Sequence, residues 1–349
     1  MVQLSVGREK RPAHPGLLLC VCSVLLILVP LLSLRFGSGA VPLHEGAHIV
    51  WIKLTGLGDL SAYRPTIVSL IWENRIPRIL SAMAVGAVLG LGGVAMQAVI
   101  RNPLAEPYVL GMSAGASTGA AAAIVLIGTS AALAVGGMAC AGAVLSMICV
   151  LWLGSTAGGS SMRLVLAGVA MGFLFTALTN LILSLAPSAE TAQAVVFWTL
   201  GSLTRPSLRQ AALLCVLAVA LGLFLWRVGP WLDALASGDD TCLAVGLDPG
   251  RTRVAMIIPV SLAVAIAVSL TGGIGFVGLV MPHLLRPLVG SAHRGLVPMV
   301  ALTSALLLVL ADTAARSVLP QGEIPVGVLT ALLGAPLLLV LVRRGGDRP

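Results

Sequence analysis

Charge is the scarcest ingredient of this 349-residue chain: Asp, Glu, Lys and Arg together make up 10% of it. Soluble domains carry about 25%, and a water-soluble fold of this length could not cover its surface with so few. Aromatic residues are also sparse, at 4%, which argues against a core built on bulky rings. No basic run exists to form a phosphate-binding stripe, so the formal net charge of +8 does not indicate nucleic acid. The six cysteines, at 20, 22, 140, 149, 215 and 242, lack metal-site spacing. Cys20 and Cys22 point to different sides of a helix, and the set reads as small core residues that identify no redox compartment. No stretch reads as a soluble domain.

What is abundant is apolar residue, 58% of the chain, with a mean hydropathy of +1.04 and 40 glycines. A bilayer removes the need for surface charge, and small residues let helices approach closely. Runs of about 20 apolar residues suffice to cross the hydrocarbon. They lie near 16–36, 79–100, 108–128, 131–153, 163–186, 208–228, 253–271, 274–290, 296–315 and 325–342. The expected architecture is all-α: one polytopic domain, 16–342, of about ten transmembrane helices between short tails at 1–15 and 343–349. Arg8, Lys10 and Arg11 precede the first run, which small residues follow. That order also suits a signal peptide, but the apolar part exceeds the roughly 7–15 residues such regions use, so a retained span is expected. The polar interval 37–78, with Pro42, Gly56, Gly58 and Pro65, reads as an external loop with a short helix.

Glycines recur at i, i+4 in Gly86 and Gly90, in Gly111, Gly115 and Gly119, and in Gly168 and Gly172, each row a flat strip for a neighbouring helix. Between the second and third spans, Arg101-Asn102-Pro103-Leu104-Ala105-Glu106-Pro107 opposes continued helix and forms either a tight turn or part of a gate. The segment 231–250 is polar enough to leave the membrane. Leu232 and Leu235 form an apolar edge, Gly238 interrupts, Asp239 or Asp240 caps a second short helix carrying Leu243 and Leu247, and Asp248-Pro249-Gly250 ends it. Two such helices suit a docking surface or a solvated connector.

Ten spans put both termini on one side. A cytoplasmic placement puts 13 of the 21 basic residues inside, the expected sign of bias. Arg75, Arg78 and Arg316 then fall at the outer face. They form either a basic rim for an acidic protein or anionic substrate, or snorkelling helix ends. An intramembrane enzyme would need paired catalytic groups among Gln97, Asn180, His283, Asp312 and Glu323, and no dyad is evident; His283 reads as a packing or interface residue, with no metal site expected. An ion-coupled secondary transporter would need buried ionisable groups near the midplane, and none is apparent.

Ordered motifs from residue 70 onward resemble the permease subunits of type II ABC importers, the group that carries ferric siderophores, haem and cobalamin. They include Arg75-Ile76-Pro77-Arg78, Met96-Gln97 leading into the 101–107 segment, Leu110-Gly111-Met112-Ser113-Ala114-Gly115-Ala116 and Gly275-Phe276-Val277-Gly278, with Ala311-Asp312-Thr313-Ala314-Ala315-Arg316 and Pro325-Val326-Gly327 following. The resemblance implies ten helices with cytoplasmic termini in a bacterial inner membrane. It also implies a dimer of permeases, identical or paralogous, and two separate ATPase subunits holding the ATP and Mg, with no cofactor on this chain. An external binding protein or lipoprotein would deliver cargo. Arg75, Arg78 and Arg316 match arginines that receive acidic residues of that protein. The segment Leu232–Leu247 matches the coupling helices, and Asn102, Leu104 and Ser161 match the cytoplasmic gate, with Met162 departing from a hydroxyl residue. The expected function is import of a ferric siderophore or related chelate by alternating access.

Overall fold

Proline placement decides where several helices begin. In a computed structural model that describes residues 15–37, 39, 41–155, 161–319 and 322–345, α1 (Pro15–Ser33) is followed by α2 (Leu43–Thr55) and then by an unbroken helical rod from Pro65 to Ile100. The rod comprises α3 (Pro65–Ser69), a π-helical stretch (Leu70–Arg75) and α4 (Ile76–Ile100). Pro77 lacks an N–H and its ring crowds the carbonyl one turn back, a conflict that the wider π turns immediately before it can absorb. The short helix expected in the interval 37–78 is α2, and the interval is corrected at its far end, where the second span begins at Pro65 instead of near residue 79.

The remaining helices are α5 (Met112–Ala121, continued as a π turn to Leu126), α6 (Ala132–Ser155), α7 (Ser161–Ser184), α8 (Ala189–Thr199), α9 (Leu208–Arg227), α10 (Gly229–Ser237), α11 (Asp239–Ala244), α12 (Pro249–Thr271), α13 (Val277–Val289), α14 (His293–Ala315) and α15 (Val326–Gly345). Every regular element among the described residues is helical. Among the described residues, seven helices are long and apolar enough to cross a membrane, and three shorter apolar ones accompany them. The short helix α8 was not anticipated, and α15 reaches into the tail expected from residue 343.

α4 is the central pillar, packed on α9, α12, α13 and α14. Missing side chains make this possible. A Cβ on Gly86 would stand 2.4 Å from the carbonyl oxygen of Ser304 in α14, and one on Gly90 would meet the Ser304 hydroxyl at 2.1 Å. The α5–α6 pair is equally close, with Gly115 against the Gly142 carbonyl and Gly119 against that of Met138. Gly168 meets the Val109 carbonyl. Gly172 differs: no neighbouring atom lies within 4 Å of its Cβ position.

Two expected spans are too short to cross: α5 with its π turn has 15 residues and α13 has 13. The latter is about 20 Å long at 1.5 Å per residue, short of the roughly 30 Å hydrocarbon core. The 3-10 turn Pro107–Leu110 before α5 and the irregular backbone before α13 meet inside the bundle. Tyr108 donates its hydroxyl to the Ile274 carbonyl (3.1 Å), and the Glu106 carboxylate accepts from the Phe276 N–H (3.3 Å). The Pro107 ring fills the space where a Cβ on Gly92 or Gly278 would stand, and Phe276 adopts φ 69°. Non-helical backbone at this depth is tolerated where protein buries it or a cavity adjoins it, and both conditions hold here.

Candidate functional site

The junction of the two breaks borders a cavity of about 690 Å³ walled by α5, α7 and α8. No charged side chain lines it. Its polar groups among the described residues are hydroxyls and one amide: Tyr108, Ser113, Ser117, Thr176, Thr179, Asn180 and Thr199. Several hydroxyls are committed to helix backbone, Ser117 donating to the Ser113 carbonyl (2.9 Å) and Thr176 to that of Gly172 (2.7 Å). Thr118, behind the wall, bonds the Phe175 carbonyl and the Thr179 hydroxyl and so ties α5 to α7. Gly172 lines the cavity, which explains its open Cβ position. Such a wall offers shallow dipoles and apolar surface but no fixed charge, so it can pass a bulky solute without trapping it.

Among the described residues α7 also presents an uncovered face, which includes the cavity-lining Val169 and Phe173. Met162, Leu166, Val169 and Phe173 follow at i, i+4, i+7 and i+11, and Phe173 is 74% exposed. Asn102 and Leu104 are also exposed, at the end of the bundle where α4 stops. There the Asn102 carboxamide accepts from the Leu104 N–H (2.9 Å), making a compact turn. The side chain of Ser161 lies outside the described residues.

At that same end, α10 and α11 form a foot. Gly238 separates them at φ 122°, a conformation that L side chains rarely adopt. Gly238 is itself the N-cap of α11, so the expected Asp239 or Asp240 cap is corrected. Asp239 instead pairs with Arg101 (3.0 Å) and with Arg253, pinning the foot to the ends of α4 and α12. The Asp248 carboxylate accepts from the Arg251 N–H (2.7 Å) with Pro249 in the first turn, so Asp248-Pro249-Gly250 begins α12 instead of ending α11. Leu232 and Leu235 do not face outward, as a docking edge would; both are buried in the main core. Leu247 is half-buried, Asp240 is exposed, and the exposed apolar tip is Leu243, Ala244 and Val245. Burial pushes the Cys242 thiol above its ordinary range. Asp233, which the sequence did not single out, holds the foot to α14 by accepting from the His293 backbone N–H (3.0 Å) and pairing with its ring Nδ1 (2.5 Å).

At the opposite end the expected basic rim is corrected outright. Arg75, Arg78 and Arg316 are all buried. Arg78 Nε donates to both oxygens of Asp312 (2.8 and 3.0 Å), and Nη1 to both oxygens of Glu323 (2.9 and 2.7 Å). Arg316 lies 3.6 Å from Asp312 and donates to the Ser33 carbonyl (2.9 Å) and hydroxyl. Arg75 donates to the carbonyls of Leu34 and Gly39 (2.5 Å for Gly39). The cluster fastens the ends of α1, α4 and α14 together. One signal was available: opposite charges at i, i+4 (Asp312, Arg316) within an apolar segment must be paired if buried. Among the described residues no group of His, Cys, Asp and Glu could hold a metal ion.

The model of the FecCD transport family matches residues 25–344. The ferric enterobactin transport permease FepD of Escherichia coli K12 is 35% identical over 97% of each chain. The vitamin B12 import permease BtuC of Vibrio cholerae is 39% identical over 83% of this chain and 88% of its own. A solved structure assigned to the metal-chelate type of ABC transporter, in an inward-facing conformation, superposes with a TM-score of 0.81 at 30% identity, covering 95% of this chain and all of the other.

Proposed function

This chain belongs to the FecCD transport family, as a multi-pass permease of the metal-chelate, siderophore and vitamin B12 class of ABC importer, and we propose that its cargo is a ferric siderophore delivered by an external binding protein. The single observation that carries the transport reading is the foot: an exposed apolar tip, Leu243–Val245, on a heel, Leu232 and Leu235, locked into the core. A partner that moves the tip therefore moves α4, α12 and α14 through Asp239 and Asp233. The partner is a pair of ATPase subunits that hold ATP and Mg, and the foot end, with both termini, faces the cytoplasm.

The exposed stripe Met162–Phe173 on α7 is the seam with a second permease, identical or paralogous, which completes the cavity into a pathway. ATP biases outward-open against inward-open packing through its different affinity for the two states. Asn102, Leu104, Ser161 and Met162 lie at the inner end, where a gate would close. Docking of the binding protein at Arg75, Arg78 and Arg316 requires its carboxylates to displace Asp312 and Glu323 from Arg78, Asp312 and Ser33 from Arg316, and the Leu34 and Gly39 carbonyls from Arg75.

Vesicle uptake tests this reading. The chain co-reconstituted with its ATPases and binding protein should accumulate ferric siderophore with ATP, and should continue when an ionophore collapses ion gradients. Uptake by the isolated chain driven by an ion gradient would refute it. The cobalamin permease relative supports one second reading, so cobalamin belongs in the same assay as a competing cargo.

A further inference from the structure

A second cavity, about 680 Å³, lies on the outer side of the pillar, between α1, α4, α9 and α14. Its floor is made of small residues, Ala84, Ala87, Ala218, Gly222 and Ala301 among them, and longer apolar side chains, such as Leu19, Leu26 and Leu223, make its walls. It exists because α1 and α9 both pack on α14 without extended contact with each other. The rim residues Val219, Leu223 and Trp226 are exposed, so the slot opens sideways from the bundle, into what would be hydrocarbon.

The end nearest the foot has a different chemistry. On α9 the lining stripe ends at Trp226, and Arg227 stands one turn beyond Leu223. On α14 the stripe Ala305, Ala301, Pro298 and Val297 continues one turn further to Arg294. The absence of a side chain at Gly229 admits the Arg294 stem: a Cβ there would stand 3.0 Å from Arg294 Cγ. Both arginines are exposed, and among the described residues neither has a carboxylate partner. The nearest acid in the foot, Asp233, is committed to His293. An apolar slot thus ends, on its foot side, in an indole and two cations.

We propose that this groove holds one anionic phospholipid, an acyl chain lying between α1 and α9 and its phosphate at Arg227 and Arg294. Trp226 sits where an indole prefers to be, at the boundary of hydrocarbon and headgroup. The lipid belongs to the leaflet on the foot side, and calling that leaflet cytoplasmic rests on the functional reading above. Because the lipid would bridge α1 and α9 beside the foot, it fills the gap that those helices leave on α14.

Native mass spectrometry of the full chain released from nanodiscs of equimolar phosphatidylglycerol and phosphatidylcholine tests this. Two cations at a membrane surface correspond to a preference of roughly thirtyfold for the anionic lipid, so one retained phosphatidylglycerol per chain is expected. Arg227→Gln with Arg294→Gln should reduce that preference to near unity while a lipid is still retained. Filling the floor with Gly222→Leu and Ala301→Leu should abolish retention without lowering the melting temperature. Equal retention of the two lipids by the unaltered chain, undiminished retention by the filled variant, or a second copy cross-linking across the groove through Leu223→Cys would each overturn the proposal. Retention is read without transport, so failed uptake with normal retention would count against the importer reading alone.

Discussion

Arg78 and Asp312, 234 positions apart, meet as a buried ion pair in which Nε reaches both carboxylate oxygens at 2.8 and 3.0 Å. The pair joins the first turn of α4 to the last turn of α14. Its second carboxylate, Glu323, is 38% exposed, so the arginine is held by one dry partner and one wet one. A cation placed this way can exchange the wet partner without being stranded, which is the property a docking site hidden in its own bundle would need.

Removing the shared carboxylate should be severe. Asp312→Asn leaves the buried Arg316 without a carboxylate partner, a loss of about 3–5 kcal/mol. Arg78→Gln leaves Asp312 its contact with Arg316 and should cost less. Glu323→Gln, at the exposed side, should cost no more than about 1 kcal/mol. Thermal unfolding in detergent distinguishes the three, and equal losses for Asp312→Asn and Glu323→Gln would contradict the assigned burial.

The glycines separate by what stands opposite them. A Cβ at Gly168 would lie 1.8 Å from the Val109 carbonyl oxygen, whereas Gly172, one turn away, faces the cavity. Gly168→Ala should destabilise by about 1–3 kcal/mol through overpacking. Gly172→Ala should leave the melting temperature unchanged and alter transport, if anything, through the pathway wall.

In the foot, heel and tip should respond differently. Leu232→Ala and Leu235→Ala empty core volume and should cost about 2–5 kcal/mol each. Leu243→Ser changes an exposed side chain and should fall within about 0.5 kcal/mol of the parent. It should nonetheless weaken ATPase binding or uncouple hydrolysis from uptake, and normal coupling in that variant would remove the tip from the interface.

The junction between the two helix breaks gives a fourth comparison. Tyr108→Phe removes the hydroxyl that bonds the Ile274 carbonyl at 3.1 Å. With an acceptor left unsatisfied the expected loss is about 1–3 kcal/mol. Thermal unfolding measures it, and a loss confined to transport would assign Tyr108 to the pathway instead of the junction.

Composition and periodicity determined that this chain is a helical membrane protein, because a 10% charge content and repeated apolar runs leave no soluble alternative. They also located the foot and most of the close-packing glycines, since both are written in short-range spacing; Gly172, which faces the cavity, and Gly111, which precedes α5 at φ 68°, are the exceptions. Which arginines are wet was beyond them: exposure of Arg78 depends on Asp312 and Glu323, brought to it by the packing of α14 on α4. The same holds for Leu232 and Leu235, whose amphipathic spacing marks a buried face without saying which partner buries it. Helix length failed for a related reason. A run of apolar residues does not record that two helices too short to cross can begin inside the bundle, because backbone groups freed there are satisfied by contacts, such as Tyr108 with Ile274, that only the tertiary structure supplies.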